Sequence, residues 1–206
     1  MIMGESGSGK SCSLRNFEPD KIGIFNVAGK PLPFKKKLPK IDGSKYSQIL
    51  KSLEHPTLKT YVIDDSQYLM AFAMFDRAKE TGYGKFTDVA LDFRNLIQTI
   101  IAKTPPDVIV YFLHHTETTD TGKIKAKTSG KMLDNQLTVE GLFSIVLLAK
   151  TDGTSYKFVT QSDGFTTAKS PMGLFELEID NDLKMVDEKI RAYYELSKGE
   201  EDETNS

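Results

Sequence analysis

Eight residues near the start of the chain, Gly4–Ser11, have the types and the spacing of a loop that binds phosphate. They read Gly-Glu-Ser-Gly-Ser-Gly-Lys-Ser, which matches the pattern G-x-x-x-x-G-K-S. The glycines Gly4, Gly7 and Gly9 let the backbone turn through positive φ and approach an anion without a Cβ in the way. The backbone amides of such a loop, and the amino end of the helix after it, would point at the anion. The spacing therefore predicts a site for the phosphates of a nucleotide.

The last two residues of the pattern supply a cation and a metal ligand. Lys10 is a point charge suited to the β- and γ-phosphates, and the Ser11 hydroxyl is a hard oxygen ligand for Mg²⁺. Only Met1–Met3 precede the loop, so we expect either a very short leading strand or a chain that lacks its natural start. We expect nucleotide contacts from the whole loop and the residue after it: Gly4, Glu5, Ser6, Gly7, Ser8, Gly9, Lys10, Ser11 and Cys12.

A pair of acids follows the apolar run Tyr61–Ile63 and provides the second half of such a site. Asp64 closes the run, where an acid at the end of a buried strand can hold Mg²⁺ through water. Asp65 comes next, where an acid can orient and deprotonate the water that attacks the γ-phosphate. The alternative for Asp65 is a helix-capping or surface acid. The two acids together argue against a chance match of the glycine pattern in a Gly/Ser-rich linker.

Further candidates for the chemistry are histidines and a lysine. The apolar run Val108–Leu113 ends in His114 and His115, and one of them would lie beneath the γ-phosphate if this strand lay between the loop strand and the acid strand. The alternative is a pair of structural histidines. Phosphoryl transfer usually needs an extra cation, and with only four arginines in the chain a lysine is a candidate. Lys169 would reach a nucleotide in its own or a neighbouring subunit, unless it is a plain surface lysine.

Composition limits the class of protein. The chain has 206 residues and a net charge of −2, enough for one α/β domain and too acidic for a globally basic nucleic-acid binder. We expect a single domain at 1–196 and an acidic, disordered tail at 197–206. Cys12 is the only cysteine, which excludes an intrachain disulfide and fits a reducing cytoplasm. No apolar run is long enough to span a membrane and no signal peptide is visible, so we expect a cytoplasmic protein without membrane contact.

Strands that alternate with helices early in the chain, and hairpins late in it, predict an α/β core with an antiparallel extension. The predicted strands after the short leading one are 22–27, 60–64, 108–113, 143–148 and 156–160, with a short hairpin at 123–127. The predicted helices are 10–17, 44–53 with Ser44 as N-cap, 67–80, 87–103 and one within 183–196.

A long polar segment, Thr116–Thr138, carries a set of lysines. They are Lys123, Lys125, Lys127 and Lys131. Clustered lysines on an exposed hairpin can bind nucleic-acid phosphates without sequence preference, and such binding weakens with salt. The alternative is a solvated loop, and the stacking aromatics that usually accompany binding of single strands are missing nearby.

The chain resembles the phage-encoded P-loop ATPases of the AAA class, which are related to RecA-type recombinases. The resemblance is carried by Gly4–Ser11, Ile24–Phe34, Tyr61–Met70, Tyr111–His115 and Thr167–Phe175. It implies a RecA-like P-loop core in which the histidine-bearing strand lies between the loop strand and the aspartate strand. It also implies ATP with Mg²⁺, a role in phage DNA recombination, annealing or replication in the host cytoplasm, a single-strand-binding protein as a possible partner, and assembly into rings or filaments.

The chain departs from this family at one catalytic position. RecA-type enzymes have a catalytic glutamate just after the second strand, where Asn26–Gly29 offers none. That role would pass to Asp65, as in the acid pair of the wider AAA class.

Three functions stay open. The first is an ATP hydrolase that acts on single-stranded DNA. The second is a nucleotide-dependent switch that acts on a protein partner without touching DNA. The third is a small-molecule kinase, against which the scarcity of arginines argues mildly.

Overall fold

A mostly parallel β-sheet organises the described part of the computed structural model, residues 1–130 and 137–196. The strands are β1 (Ile2–Gly4), β2 (Gly23–Asn26), β3 (Lys40–Asp42), β4 (Thr60–Asp64), β5 (Ile109–Thr118), β6 (Ile124–Ala126), β7 (Leu147–Thr151), β8 (Tyr156–Val159) and β9 (Glu178–Asp180). Their order is β3-β2-β4-β5-β1-β7-β8-β9, with β6 paired to the end of β5. The pairs from β3 to β7 are parallel, whereas β6, β8 and β9 pair in antiparallel fashion. The predicted α/β fold with an antiparallel extension is confirmed.

The helices cover both faces of the sheet. They are α1 (Tyr46–Glu54), α2 (Gln67–Asp76), α3 (Gly84–Lys103) and α4 (Leu183–Tyr193), with 3-10 helices at Ser11–Asn16 and Val139–Leu142. One core contains buried side chains of α1, α2 and α3, and the other contains those of α4 and the first 3-10 helix. Successive strand residues face opposite sides of a sheet, so Ile63 lies in the first core and Val62 in the second. Burial on both faces explains why the strands are almost continuously apolar.

The order of three central strands places the candidate site. β5, which carries the two histidines, lies between β4 and β1, as expected. Ile63 is level with Phe112, and Gly4 is level with His115. The carboxyl ends of β1, β4 and β5 therefore lie at one edge of the sheet, which brings the glycine loop, the two aspartates and the histidines together.

Some predicted boundaries are wrong. The element after the glycine loop is a six-residue 3-10 helix, Ser11–Asn16, within the short helix predicted at 10–17, whereas α2 ends at Asp76 rather than at residue 80. Ser44 is not the N-cap of α1, because its hydroxyl donates to the Ile41 carbonyl and Lys45 precedes the helix. β5 continues past the histidines to Thr118, and the strand predicted at 143–148 runs over Leu147–Thr151. Two three-residue strands, β3 and β9, were not predicted.

Two predictions fall outside the described residues: Lys131 and the acidic tail at 197–206. Within the described ranges, none of the helices combines the length and the apolar character needed to cross a membrane.

Candidate functional site

The glycine loop leaves β1 and turns sharply, which explains its glycines. Gly7 and Gly9 have φ of 81° and 91°, a region that side chains other than glycine rarely adopt. A Cβ on Gly9 would lie 2.7 Å from Cδ1 of Tyr156, and one on Gly4 would lie 2.9 Å from the carbonyl oxygen of Ala149. Gly4 and Gly9 are therefore required by close packing.

The side chain of Lys10 is held beneath the glycine loop by hydrogen bonds to the loop's own carbonyl oxygens. Its Nζ donates to the carbonyl oxygens of Gly4 at 2.8 Å and Glu5 at 2.7 Å, which uses two of its three N–H groups. The side chain is buried, and this burial lowers the pKa of Lys10 to about 8 against the opposing effect of Asp65 and Asp64. Burying an ammonium is unfavourable, and the two hydrogen bonds and the nearby carboxylates offset part of that cost.

The Ser11 hydroxyl and Asp64 meet across the edge of the sheet. Ser11 Oγ donates to Asp64 Oδ1 at 2.8 Å, although 53 residues separate them in the chain. Asp64 is 4% exposed, and burial, followed by the charge of Asp65, raises its pKa to about 6. A cation between these two oxygens would stabilise the ionised carboxylate.

The donors of this pair fit Mg²⁺ bound together with phosphate. Both are hard oxygen ligands, and Mg²⁺ is commonly held by one or two protein oxygens with the remainder from water and phosphate. No group of three or more His, Cys, Asp and Glu side chains capable of holding a metal occurs in the described ranges. The protein would therefore hold Mg²⁺ through Ser11 and Asp64 only in combination with a ligand that supplies further oxygens.

Asp65 lies in the left-handed backbone region and contacts two basic side chains. Its φ is 59°, which is uncommon for a residue other than glycine and concentrates at functional sites. Oδ1 lies 3.1 Å from Nε2 of His115, and Oδ2 lies 2.6 Å from Nζ of Lys30. Burial raises the pKa of Asp65, but the hydrogen bonds from His115 and Lys30 outweigh it and the net pKa is lowered. These contacts pair the Asp65 carboxylate with basic side chains, and the N-cap position of α2 is Ser66.

Lys30 was not among the predicted site residues. It follows β2, and its main chain is fixed by Asn26, whose Nδ2 donates to the Lys30 carbonyl oxygen at 2.7 Å. Its ammonium lies 5.6 Å from the centre of the Tyr68 ring. The only sequence signal that would have indicated Lys30 as a site residue is its position just past the carboxyl end of β2, the strand beside β4.

The two histidines of β5 face opposite sides and have different surroundings. His114 is fully buried, with Nε2 donating to the Lys127 carbonyl oxygen at 2.8 Å and Nδ1 lying 2.9 Å from Oγ of Ser66. Burial lowers the pKa of His114 to about 4. His115 contacts Asp65 and packs edge-on against Tyr68, at 5.3 Å between ring centres. His115 is therefore the histidine at the site, whereas His114 is buried on the opposite face of β5.

An open pocket of about 340 Å³ lies between the glycine loop, Lys30, Asp65 and His115, and its lining does not include Asp64. It is lined by Ser6, Gly7, Gly9, Lys10, Ser11, Cys12, Lys30, Pro33, Asp65, His115 and Tyr156. Six of the nine predicted nucleotide contacts are in this lining, whereas Lys30, Pro33 and Tyr156 are additions that only the fold reveals. A phosphate chain in the pocket would meet two lysines, the loop amides and an aromatic ring.

A larger cavity of about 470 Å³ lies elsewhere, around Thr60, Asp187 and Arg191. Its one buried carboxylate, Asp187, is already satisfied by the side chains of Thr60, Tyr111 and Arg191. This cavity contains none of the predicted site residues, and its polar network anchors α4 to the sheet.

Lys169 lies away from the pocket of its own chain. Its backbone exchanges two 2.8 Å hydrogen bonds with Val146, which is next to Leu147, the partner of Ile2 in the sheet. That places Lys169 at the amino end of β1, whereas the glycine loop leaves the carboxyl end. A contribution of Lys169 to a neighbouring subunit stays a prediction.

The predicted lysine hairpin is formed by β5 and β6. Lys123 and Lys127 are exposed, and Lys125 forms a 3.0 Å ion pair with Glu117. Ile124 and Ala126, which alternate with the lysines, face inward. The backbone of Lys127 bonds to both histidines, donating to the His115 carbonyl oxygen at 2.8 Å and accepting from the His114 ring.

No protein-family model matches the chain, and no curated protein matches it significantly.

Proposed function

We propose that this chain binds ATP with Mg²⁺ at the glycine-loop pocket and hydrolyses it. The observation that carries the proposal is the 2.8 Å contact between Ser11 and Asp64. It joins the end of the G-x-x-x-x-G-K-S loop to an acid at the end of β4, two strands away. Lys10, Asp65 and His115 lie around the same edge, so the groups that phosphoryl transfer needs converge at one place.

The protein's own residues would divide the binding of the phosphates among them. The loop amides and the Lys10 ammonium would bind the β- and γ-phosphates, and the oxygens of Ser11 and Asp64 would hold the metal. When bound, Mg²⁺ neutralises charge on the phosphate oxygens. The strand order β4-β5-β1, with the loop on β1 and the acids on β4, supports a RecA-like P-loop core as the framework of this site.

Hydrolysis follows from the position of Asp65. Its carboxylate accepts a proton from a water whose oxygen forms the new bond to the γ-phosphorus. The bond between that phosphorus and the bridging oxygen breaks, and ADP leaves with the electron pair. His115, hydrogen-bonded to Oδ1, orients the carboxylate during this step.

We extend the proposal to a protein that couples ATP hydrolysis to single-stranded DNA in recombination, annealing or replication. Support comes from the lysine hairpin, whose Lys127 backbone is hydrogen-bonded to His114 and His115. DNA phosphates bound by Lys123 and Lys127 would thereby influence β5, the strand that carries His115, the hydrogen-bond partner of Asp65. A protein partner that docks on the hairpin would use the same connection, which keeps the switch without DNA contact as the alternative.

Phosphate release from ATP tests the proposal, with the variant Asp65→Asn and the matched control Asp20→Asn, whose side chain is 75% exposed. We expect Asp65→Asn to keep ATP binding and to lose turnover by roughly 10²- to 10⁴-fold, the usual contribution of a general base. Asp20→Asn should match the parent protein. Unchanged turnover in Asp65→Asn would remove Asp65 from the mechanism.

The same assay separates the two kinds of partner. Stimulation of turnover by a single-stranded oligonucleotide at low salt, lost as salt is raised, supports action on DNA. Turnover that is indifferent to DNA at low salt contradicts it and favours the protein-partner switch.

A further inference from the structure

We propose that Lys30 is a triphosphate-sensing cation, whose ammonium exchanges between Asp65 and the γ-phosphate and so makes Asp65 available only when a triphosphate is bound. This inference rests on the proposed function of the pocket, and it assigns the extra cation that phosphoryl transfer requires. Neither the arginines nor Lys169 of the same chain lie in the pocket lining, whereas Lys30 does.

The main chain around Lys30 is built to place its side chain at the pocket. Asn26, at the end of β2, is 1% exposed, and its Nδ2 donates both to the Lys30 carbonyl oxygen at 2.7 Å and to Oδ1 of Asp42 at 2.6 Å. The Asn26 carbonyl oxygen accepts from the Gly29 and Gly43 amides. Gly29 has φ of 68°, which closes the turn. A buried asparagine, hydrogen-bonded through Nδ2 and its carbonyl oxygen, therefore fixes the point from which Lys30 extends.

The side chain of Lys30, in contrast, has room to move. It is 58% exposed, although the carboxylate that it contacts is only 6% exposed. A lysine carries its charge on a flexible four-carbon stem, so the ammonium can change partner while the main chain stays in place. At its present position the ammonium also makes a cation–π contact with the Tyr68 ring, 5.6 Å from the ring centre.

The charges around the pocket favour the exchange. Lys10 and Lys30 line the same pocket, and the positive charge of Lys30 acts to lower the pKa of Lys10. An anion between two like charges relieves their repulsion, and the γ-phosphate carries more charge than a carboxylate. A bound triphosphate would therefore compete with Asp65 for Lys30.

The exchange of Lys30 between partners changes which hydrogen bonds the Asp65 carboxylate can accept. In the structure, Oδ2 is paired with Lys30 and Oδ1 with His115. An ionised carboxylate only accepts hydrogen bonds, so moving Lys30 away leaves Oδ2 for a water while His115 still orients the group. A diphosphate has no γ group to attract Lys30, and Asp65 stays paired.

Calorimetric titration with Mg-ATP and with Mg-ADP tests this inference on the full chain. We expect Lys30→Gln to weaken ATP binding by about tenfold or more and to leave ADP binding within about twofold, because a charge-assisted bond to the γ-phosphate is lost. Lys30→Arg should restore most of the preference for ATP. The matched control is Lys35→Gln, an exposed lysine of the same loop, which should change neither affinity.

The outcomes separate this inference from the proposed function. If the parent protein binds ATP and ADP but Lys30→Gln weakens both equally or neither, Lys30 has a structural role and the inference is wrong. If the parent protein binds neither nucleotide, the proposed function fails and the inference fails with it. Should Lys30→Gln not fold, the double variant Lys30→Gln, Asp65→Asn leaves no unpaired carboxylate and gives the same comparison of affinities.

Discussion

Lowering the pH from 7 to 5 should weaken the fold through His114, which the structure holds in its neutral form. Nδ1 of its ring lies within hydrogen-bond distance of Ser66 Oγ, Nε2 donates to the Lys127 carbonyl oxygen, and the side chain is fully buried. The pKa falls from 6.5 to about 4 on folding. Because the folded pKa is the lower one, the stabilising contribution is complete above pH 6.5 and is lost as the pH falls towards 4. Between pH 7 and pH 5 this linkage gives a loss of about 2 kcal/mol.

Urea unfolding of the parent protein and of His114→Gln, at matched pH values, measures this loss. Glutamine does not titrate, and its amide reaches the position from which Nε2 donates to Lys127. The variant should be less stable at pH 7, because it no longer bonds to Ser66 and loses the ring contact with Phe93, whose ring centre lies 5.7 Å from that of His114. Its free energy of unfolding should then fall less steeply with acidification, so that the gap between the two proteins narrows by about 2 kcal/mol at pH 5. Parallel curves would show that His114 is not held neutral by burial.

Two further predictions concern the loop and the hairpin. Gly9→Ala should lower the free energy of unfolding by about 1–3 kcal/mol more than Gly153→Ala does. Both glycines have φ near 90°, but of the two only Gly9 has a ring carbon within 3 Å of the added Cβ. Equal losses in urea unfolding would contradict the close packing against Tyr156. Replacing Lys123 and Lys127 by alanine should reduce the salt dependence of binding to single-stranded DNA by about 0.7 in logarithmic slope for each phosphate that the hairpin no longer binds; a slope that matches that of Lys21→Ala would place the DNA-binding surface elsewhere.

The parts of the site that sequence could predict are those with a local cause. Glycine spacing in Gly4–Ser11 reflects backbone conformation, which is decided within a few residues. The run that ends at Asp64 is apolar because β4 is covered on both faces, and its length alone places the acid at a strand end. The position of β5 between β1 and β4 followed from the resemblance to RecA-type proteins and is confirmed.

The parts that sequence could not predict depend on contacts between distant segments. The side chain of Lys30 reaches the pocket because hydrogen bonds from Asn26 to Lys30 and to Asp42 fix the main chain of this loop. From the sequence, the loop can be recognised only as a segment rich in Pro, Gly and Lys. Alternation along β5 shows that His114 and His115 face opposite sides, but only the packed helices decide which side is buried. Tyr156 reaches Gly9 through an antiparallel extension whose register no local pattern gives.

Calorimetric titration of Mg-ATP into the parent protein, Lys10→Ala and the exposed control Lys21→Ala tests the central claim most directly. If the glycine-loop pocket binds the phosphates, Lys10→Ala should lose about 1.5–3 kcal/mol of binding free energy, or roughly 10- to 150-fold in Kd, while Lys21→Ala binds like the parent protein. Equal affinity in all three proteins, or no heat of binding in the parent protein, would contradict the assignment of a nucleotide to this pocket.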